Sequence, residues 1–161
     1  MHREPDEYER EMLEIIEEHG WFSQGVFDPD GTTPSCRYTV GFAREPDLPE
    51  LIVLGLPLDV MHHMLWQVFD RLQDGAVIRE GAEWPGLLAG DYVCVTRRVP
   101  EARIAEAENH LATWYWRYRG YEGTPPLYQL VWPSTGSKQY PWDEGCPADV
   151  VAAQGRLLFD R

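Results

Sequence analysis

Seven side chains that could contact a ligand through polar or aromatic groups lie at the ends of predicted strands and in the loops beside them. They are Arg37, Thr39, Asp91, Tyr92, Gln129, Trp132 and Trp142. A small-molecule site usually combines an apolar lining with a few fixed polar groups. Tyr and Trp also bury large areas in ordinary protein cores. The pattern therefore fits either a ligand-binding site or simple packing.

The sequence contains no motif that names a reaction. It has no Gly-x-Ser-x-Gly segment, and the stretch 81–90 lacks the Lys-Ser/Thr of a phosphate-binding loop. His62 and His63 are adjacent, so they cannot both reach one ion from the same helical face. No metal site is predicted, and the sequence specifies neither a cofactor nor an enzymatic activity.

The three cysteines show neither a CxxC pair nor the spacing of zinc ligands. Cys36, Cys94 and Cys146 are therefore predicted to be reduced thiols. Cys94 alternates within a strand pattern and is expected to be buried. Cys146 lies in a Gly-Cys-Pro loop, where an exposed thiol could react.

The length and composition fit one globular domain over residues 1–161. The chain is 43% hydrophobic and 12% aromatic, with seven tryptophans, whereas disordered chains are poor in such residues. No apolar run approaches the roughly 20 residues that a membrane helix needs. The sequence begins with charged residues rather than with an apolar signal segment. We expect a soluble, cytoplasmic protein without a membrane partner.

The formal net charge is −13, and much of it lies at the N-terminus, where residues 1–18 contain eight acids against two arginines. Direct binding to nucleic acid is disfavoured, because it depends on neutralising phosphates with Lys and Arg. The apolar residues in this stretch recur at helical spacing and predict an acidic helix over about 5–19. Its acids either form a solvated face or dock on a basic partner.

The coarse order of elements follows from periodicity and from Gly and Pro punctuation. Helices are predicted at 7–19, at 59–75 with Asp59 as N-cap, and at 101–119. Strands are predicted at 21–27, 35–42, 51–56, 77–79, 91–99 and 127–132. The segment 81–90 is predicted to be a loop that could form a lid, and 150–159 is predicted to be a short helix or strand. The segment 51–56 is apolar except at Gly55. This pattern is typical of a strand covered on both faces, so it should lie at the centre of the sheet.

Strand alternation predicts which residues of 35–42 face the core. Tyr38, Val40 and Phe42 are expected under the helix that follows the central strand. Arg37 and Thr39 then point to the opposite face, which would be open to a ligand. A buried Tyr38→Ala would destabilise the fold strongly, whereas Thr39→Ala would cost less than about 1 kcal/mol.

Adjacent strands joined by short connections favour an antiparallel or mixed sheet over a doubly wound parallel one. The predicted fold class is α+β, a single domain with a twisted sheet and about three helices packed on it. A partly closed barrel is a variant of the same prediction.

Three sequence blocks, taken together, resemble the DUF4262 family, small bacterial and phage proteins without an assigned function. The blocks are Gly20-Trp21-Phe22 with Gly25-Val26, Tyr38 to Phe42 with Pro49 to Pro57, and Gln129 to Pro133 with Tyr140 to Asp143. The resemblance covers nearly the whole chain from residue 19. It departs at Leu48, where the family tends to carry His before Pro-Glu. The resemblance implies no catalytic residues.

Three functions are compatible with these observations. The first is a non-catalytic binding module that recognises a protein partner or small ligand through an aromatic-lined sheet face and loops. The second is an enzyme or cofactor-binding protein with a flavin or other planar ligand on Trp132 or Trp142 and its anionic group at Arg37. The third is an acidic inhibitor of a basic protein, for which deletion of residues 1–18 should abolish binding and spare the fold.

Overall fold

The computed structural model describes residues 4–159 and shows an α+β arrangement around one mixed sheet. The elements are α1 (Glu7–His19), β1 (Phe22–Val26), β2 (Cys36–Val40), β3 (Glu50–Leu54), α2 (Leu58–Gln73), β4 (Glu83–Pro85), β5 (Val93–Arg98), a 3₁₀ helix (Glu101–Ala107), α3 (His110–Tyr118), β6 (Leu127–Val131) and α4 (Ala148–Gln154). The prediction of about three helices is therefore too low, since the described residues form four α-helices and a 3₁₀ helix.

The six strands lie in the order β1-β2-β3-β6-β5-β4. All neighbours are antiparallel except β3 and β6, which are parallel. The predicted central strand is confirmed, because β3 lies inside the sheet and all five of its residues are buried. The sheet is not closed, since β1 and β4 form its two edges, so the barrel variant is wrong.

Each face of the sheet has its own hydrophobic core. On one face, Leu51 and Val53 of β3 pack with the buried side of α2, including Met64 and Leu65. The opposite core includes these buried residues from the sheet, from α1, from the 3₁₀ helix and from α3: Tyr38, Val40, Ile52, Leu54, Met12, Ile104 and Ala112. Both faces of β2 and β3 are therefore covered by helices.

This arrangement corrects the predicted faces of β2. Tyr38 and Val40 lie in the core beneath α1 and α3, and of the three residues expected under α2 only Phe42 packs there. Thr39 is fully buried, so the expected open face at this residue is wrong. Alternation separates Tyr38 and Val40 from Thr39 correctly, but Phe42 lies beyond the end of β2, where the alternation no longer holds. Alternation also cannot tell that helices from three distant segments cover the face of Tyr38 and Val40.

The ends of α1 follow the expected capping chemistry. Asp6 accepts a hydrogen bond from the backbone N–H of Glu9, and the Glu9 carboxylate accepts one from the backbone N–H of Asp6. Gly20 ends the helix with φ of 95°, a conformation that favours glycine. The predicted N-cap at Asp59 is wrong, because α2 begins one residue earlier and Pro57 precedes it without a side-chain cap.

Two further boundaries differ from prediction. The expected helix 101–119 is interrupted at Glu108, whose φ of 56° separates the 3₁₀ helix from α3. The edge strand is β4 rather than 77–79, because the buried Trp84 pairs with Cys94 and its indole donates to Thr96 Oγ1 at 3.2 Å. No helix within residues 4–159 has both the length and the apolar character to cross a membrane.

Candidate functional site

A buried carboxyl group organises the turn that leaves β2. Glu50 is only 1% exposed. Its Oε1 accepts hydrogen bonds from Thr39 Oγ1 at 2.7 Å and from the Phe42 N–H at 3.0 Å, and its Oε2 accepts one from the Gly41 N–H at 2.9 Å. Thr39 Oγ1 in turn accepts from the Leu51 N–H at 2.9 Å. We call these residues the Glu50 cluster.

Burial raises the pKa of Glu50, and the hydrogen bonds that the carboxyl accepts oppose that shift without cancelling it. A raised carboxyl pKa suits a general acid, but such a group must reach a substrate. Glu50 has almost no exposed surface. Its hydrogen bonds instead fix the backbone of the turn.

Arg119 holds the same turn from the other side. Its guanidinium donates to the carbonyl oxygen of Arg44 at 3.0 Å and also to that of Ala43. The guanidinium lies 4.4 Å from the ring centroid of Tyr115, a cation–π distance. The backbone at 41–44 is thus fixed by an acid inside the protein and by an arginine from the segment after α3.

Three of the seven predicted ligand-binding residues lie inside the protein. Thr39 and Gln129 are fully buried, and Trp132 is nearly so. Gln129 Nε2 donates to the Gln154 carbonyl at 3.0 Å, and the Trp132 backbone N–H donates to Gln154 Oε1 at 3.0 Å. The Trp132 indole donates to the Leu54 carbonyl at 2.8 Å. Gln129 and Trp132 are brought together by Gln154 and fasten α4 to the sheet.

Asp91 and Tyr92 are also brought together, where they contact the loop after β6. Lys138 Nζ donates to Asp91 Oδ2 at 2.6 Å, and the Gly136 N–H donates to the Tyr92 hydroxyl at 3.0 Å. The ion pair is exposed, so its contribution to stability is small. The pair holds the loop near the start of β5.

Arg37 and Trp142 make other contacts. Arg37 Nε donates to the Leu58 carbonyl at 3.0 Å, and its Nη1 donates to Ser23 Oγ at 3.0 Å, which connects β1 to the start of α2. Trp142 receives the guanidinium of Arg97 at 4.3 Å from its ring centroid. The contacts of the seven residues are thus divided among several parts of the fold, and a ligand at any of them stays a prediction.

An exposed aromatic surface lies between α1 and α2, where sequence reasoning did not place a site. We call it the α1–α2 groove; its volume is about 390 Å³ and its lining is Ile15, His19, Trp21, Phe22, Ser23, His62, Trp66 and Phe69. Trp21 stacks on His62, with 5.9 Å between ring centroids, and on Phe69, with 5.7 Å. Trp66 lies beside His62 at 6.4 Å and is 53% exposed.

The position of Trp66 in the sequence contained a signal for this groove. The residue lies off the apolar stripe of α2, between His62 and Asp70 on the polar side of the helix. Isolated exposed hydrophobic residues are normal, but a contiguous exposed patch indicates an interaction surface. Ile15 on α1 is 37% exposed, so both walls of the groove present apolar side chains to solvent.

Acidic residues border both walls of the α1–α2 groove. Glu11 and Glu18 lie four residues before and three after Ile15, on the same side of α1. Asp70 is one helical turn beyond Trp66 on α2. All three acids are exposed. Within the described chain, no lysine or arginine approaches Glu7, Glu11, Glu14 or Glu17 within ion-pair distance, and Glu18 meets only His19, at 3.8 Å.

His62, which lies within the groove, does not offset this negative charge. Partial burial lowers the pKa of His62, and the nearby Arg37 and His63 lower it further. The imidazole is therefore neutral near pH 7. The groove therefore combines aromatic rings with exposed carboxylates that are not paired with any lysine or arginine among residues 4–159.

The thiols are placed unfavourably for nucleophilic chemistry. Burial raises the pKa of Cys36, and it raises that of Cys94 to about 12. Cys146 is half-buried, and burial together with Asp143 and Asp149 raises its pKa too. A thiolate, rather than a thiol, is the reactive form. Among residues 4–159, no cluster of three or more His, Cys, Asp or Glu side chains has the arrangement of a metal site.

An open mixed sheet with helices on both faces defines an α+β single-sheet protein. A family model described as a domain of unknown function, DUF4262, matches residues 15–147. The chain therefore belongs to the DUF4262 family, as its sequence blocks suggested. Neither a curated protein nor a solved structure gave a significant match.

Proposed function

We propose that this protein is a non-catalytic binding module whose α1–α2 groove takes a basic, amphipathic helical segment of a partner protein. The observation behind the proposal is that exposed aromatic side chains lie beside carboxylates that have no lysine or arginine partner among the described residues. Apolar groups of the partner would enter the groove beside Trp66. Its Lys and Arg side chains would meet the acids on the two walls.

The shape of the groove favours a helix as the occupant. It runs between two helices, and the exposed Ile15 and Trp66 stand on opposite walls. Tyr8 extends this apolar surface along α1, since its ring packs edge-on against Phe22 at 6.2 Å. An amphipathic helix binds such a groove with anchors about one turn apart. Trp is also enriched among residues that dominate binding energy.

The charge of the groove defines the partner's chemistry. Opposite charges at the rim of an interface accelerate association and exclude partners of like charge. Binding at exposed charges should weaken as salt rises, because the Debye length falls to about 8 Å at 0.15 M. The proposal thus joins the binding-module hypothesis to the hypothesis of an acidic inhibitor.

A pair of synthetic peptides tests the proposal without a known partner. One is an amphipathic helix of leucine and lysine, and the other has glutamate in place of lysine. In NMR titrations of the ¹⁵N-labelled protein, the basic peptide should shift the Trp66 indole signal and the amides of α1. Equal binding of the acidic peptide, or shifts confined to other surfaces, would contradict the proposal.

Matched variants separate the groove from general attraction to acidic surface. Trp66→Ala should weaken the basic peptide at least about tenfold, as for a typical hot-spot Trp. Trp114→Ala is the control, since Trp114 is a partly exposed ring on α3 that stacks on Tyr118. The double variant Glu11→Gln, Glu18→Gln should weaken binding of the basic peptide and reduce the dependence of its affinity on salt. The control double variant Glu101→Gln, Glu144→Gln removes the same charge elsewhere and should change neither. Equal effects of variant and control would reject the groove.

Deletion of residues 1–18 is not a clean test of the acidic helix. Met12 is fully buried in the core beneath α1, so the deletion removes core packing along with charge. The expectation that truncation spares the fold therefore conflicts with the packing of α1. The charge substitutions on the exposed side avoid this problem.

The rings expected to stack on a planar cofactor are engaged by protein groups. The Trp132 indole is buried and hydrogen-bonded to the Leu54 carbonyl. Tyr140 stacks on Trp142 with 5.1 Å between centroids and 5° between planes, and Arg97 lies over the same Trp142 ring. These contacts favour a structural role for both tryptophans. The colour and absorbance spectrum of the purified protein test for flavin directly.

A further inference from the structure

A second concavity lies between the β2–β3 connection and the C-terminal half of α2. Its volume is about 320 Å³, and its walls are mainly apolar: Phe42, Leu48, Pro49, Phe69, Leu72 and Ile78. Arg44 and Asp47 are charged residues of the same lining. Ligand pockets typically measure about 300–1,000 Å³, so this one suits a small molecule. We call it the Arg44 cavity.

The wall that contains Arg44 is fixed before any ligand arrives. Glu50 binds the backbone N–H groups of Gly41 and Phe42 from inside, and Arg119 binds the next two carbonyls from the other side. Phe42 is 6% exposed and belongs to the core beneath α2. A preformed wall lowers the entropic cost of binding.

Arg44 is the cationic residue of the lining, and its Nη2 packs close to Gly20 at the end of α1. Its guanidinium lies over the Phe69 ring, 5.7 Å from the centroid. Counted over residues 4–159, no carboxylate lies within ion-pair distance of it. Arg119, the neighbouring arginine, already donates to two backbone carbonyls. Arginine is well suited to carboxylate recognition because its planar fork can donate two parallel hydrogen bonds.

We infer that the Arg44 cavity binds a small monocarboxylic acid, with its apolar body against Phe42 and Leu72 and its carboxylate at Arg44. Asp47 lies in the same lining and repels additional negative charge, which favours a monoanion over a phosphate monoester. This site is separate from the α1–α2 groove, although the Phe69 ring contributes to both linings.

The simplest test compares an acid with its neutral isostere on the wild-type protein. The probes are 3-phenylpropanoate and 3-phenylpropanamide, titrated into ¹⁵N-labelled protein at low ionic strength. The acid should bind about five- to tenfold more tightly than the amide, given the usual strength of charged hydrogen bonds at a partly exposed site. Its shifts should centre on Phe42, Phe69 and Leu72. Equal affinities, no binding, or shifts elsewhere would overturn the inference.

Three variants sharpen the result. Arg44→Gln should remove the preference for the acid, whereas Arg98→Gln, an equal charge change at an exposed residue of β5, should keep it. Ala76→Phe places a ring in the cavity and should abolish binding of both probes. Thermal melting confirms that each variant is folded. A preference for the acid that survives Arg44→Gln would exclude Arg44 as its partner.

The outcome is independent of the proposed protein partner. Trp66→Ala should leave the affinity for 3-phenylpropanoate unchanged, and Arg44→Gln should leave the groove and its acids intact. Loss of acid binding in Trp66→Ala would show that the acid occupies the α1–α2 groove, which would contradict this inference. Failure of the basic peptide alone would affect only the proposed function.

Discussion

The Glu50 cluster and the α1–α2 groove differ in which side chains they bury: the cluster buries polar groups, whereas the groove exposes apolar ones. In the first, a buried carboxyl accepts hydrogen bonds from the backbone of a turn and from a buried hydroxyl, which itself accepts one from the backbone of β3. In the second, tryptophan and isoleucine lie at the surface, bordered by acids. A buried polar group and an exposed apolar patch are the informative departures from ordinary burial.

The difference teaches that residue type alone does not identify a binding surface. The sequence suggests Thr39 and Trp132 as ligand contacts because they are polar or aromatic near strand ends, yet both are buried. Trp66 is one of seven tryptophans, and what distinguishes it is its exposed position on the polar side of α2. Burial costs free energy for Thr39 and Glu50 unless their hydrogen bonds are made, whereas exposure of Trp66 yields no stability. The fold should therefore depend on the first region and binding on the second.

Within the Glu50 cluster, the largest expected effect on stability is that of Glu50→Ala. The substitution leaves the Thr39 hydroxyl and the N–H groups of Gly41 and Phe42 without their acceptor. Unsatisfied buried groups cost about 1–3 kcal/mol each, so we expect a total loss of roughly 3–5 kcal/mol with partial relaxation. Urea unfolding followed by circular dichroism measures it. Glu45→Ala, an exposed acid in the same connection, is the control and should change stability little.

Within the Glu50 cluster, Thr39→Ala should have the next largest effect on stability, which corrects the expectation of a small loss. The variant loses the bond to Glu50 and leaves the Leu51 N–H without its side-chain acceptor. We expect a loss of about 1–3 kcal/mol in the free energy of unfolding. Tyr38→Ala should still cost more, about 3–5 kcal/mol, because it empties a large buried site. A Thr39→Ala protein as stable as wild type would contradict the role of the cluster.

Features set by local sequence were predicted well. The helix 7–19 has the observed bounds of α1, because its capping residues and Gly20 act within one turn. The central strand was predicted because an unbroken apolar run has few alternatives to burial on both faces. The DUF4262 resemblance is likewise confirmed by the family match.

Features set by distant contacts were not predictable. The burial of Thr39 depends on which helices cover the sheet. Its hydrogen-bond partner, Glu50, lies eleven residues later in the chain, on the neighbouring strand β3. The Glu50 carboxyl itself had no signal beyond an acid at the start of an apolar run. The break at Glu108 was hidden because the apolar spacing continues through it. The α1–α2 groove requires two helices that are separated by three strands.

Glu50→Gln should have a smaller effect and should reveal the raised pKa. At pH below 4.5, the ordinary pKa of Glu, the Glu50 carboxyl is protonated in both the native and the unfolded protein. Glutamine has one acceptor fewer than the carboxyl, so the variant should be less stable there by about 1–2 kcal/mol. As pH rises above 4.5, the unfolded chain releases the proton while the native protein retains it, so wild-type stability falls relative to the variant. The difference levels off above the raised native pKa. A wild-type advantage that grows with pH in urea titrations would contradict the shift.

The smallest expected effect on stability is that of Trp66→Ala. About half of the side chain is already exposed, and its contact in the groove is the neighbouring His62 ring, so we expect a loss below about 1 kcal/mol. Trp21→Ala is the matched comparison within the groove. That ring is 7% exposed and packs on Phe42 and Phe69, so its loss should cost about 3–5 kcal/mol. If Trp66→Ala destabilised the protein as much as Trp21→Ala in thermal and urea unfolding, Trp66 would be a structural residue. The contrast between the Glu50 cluster, which stabilises the fold, and the α1–α2 groove, which serves binding, would then be wrong.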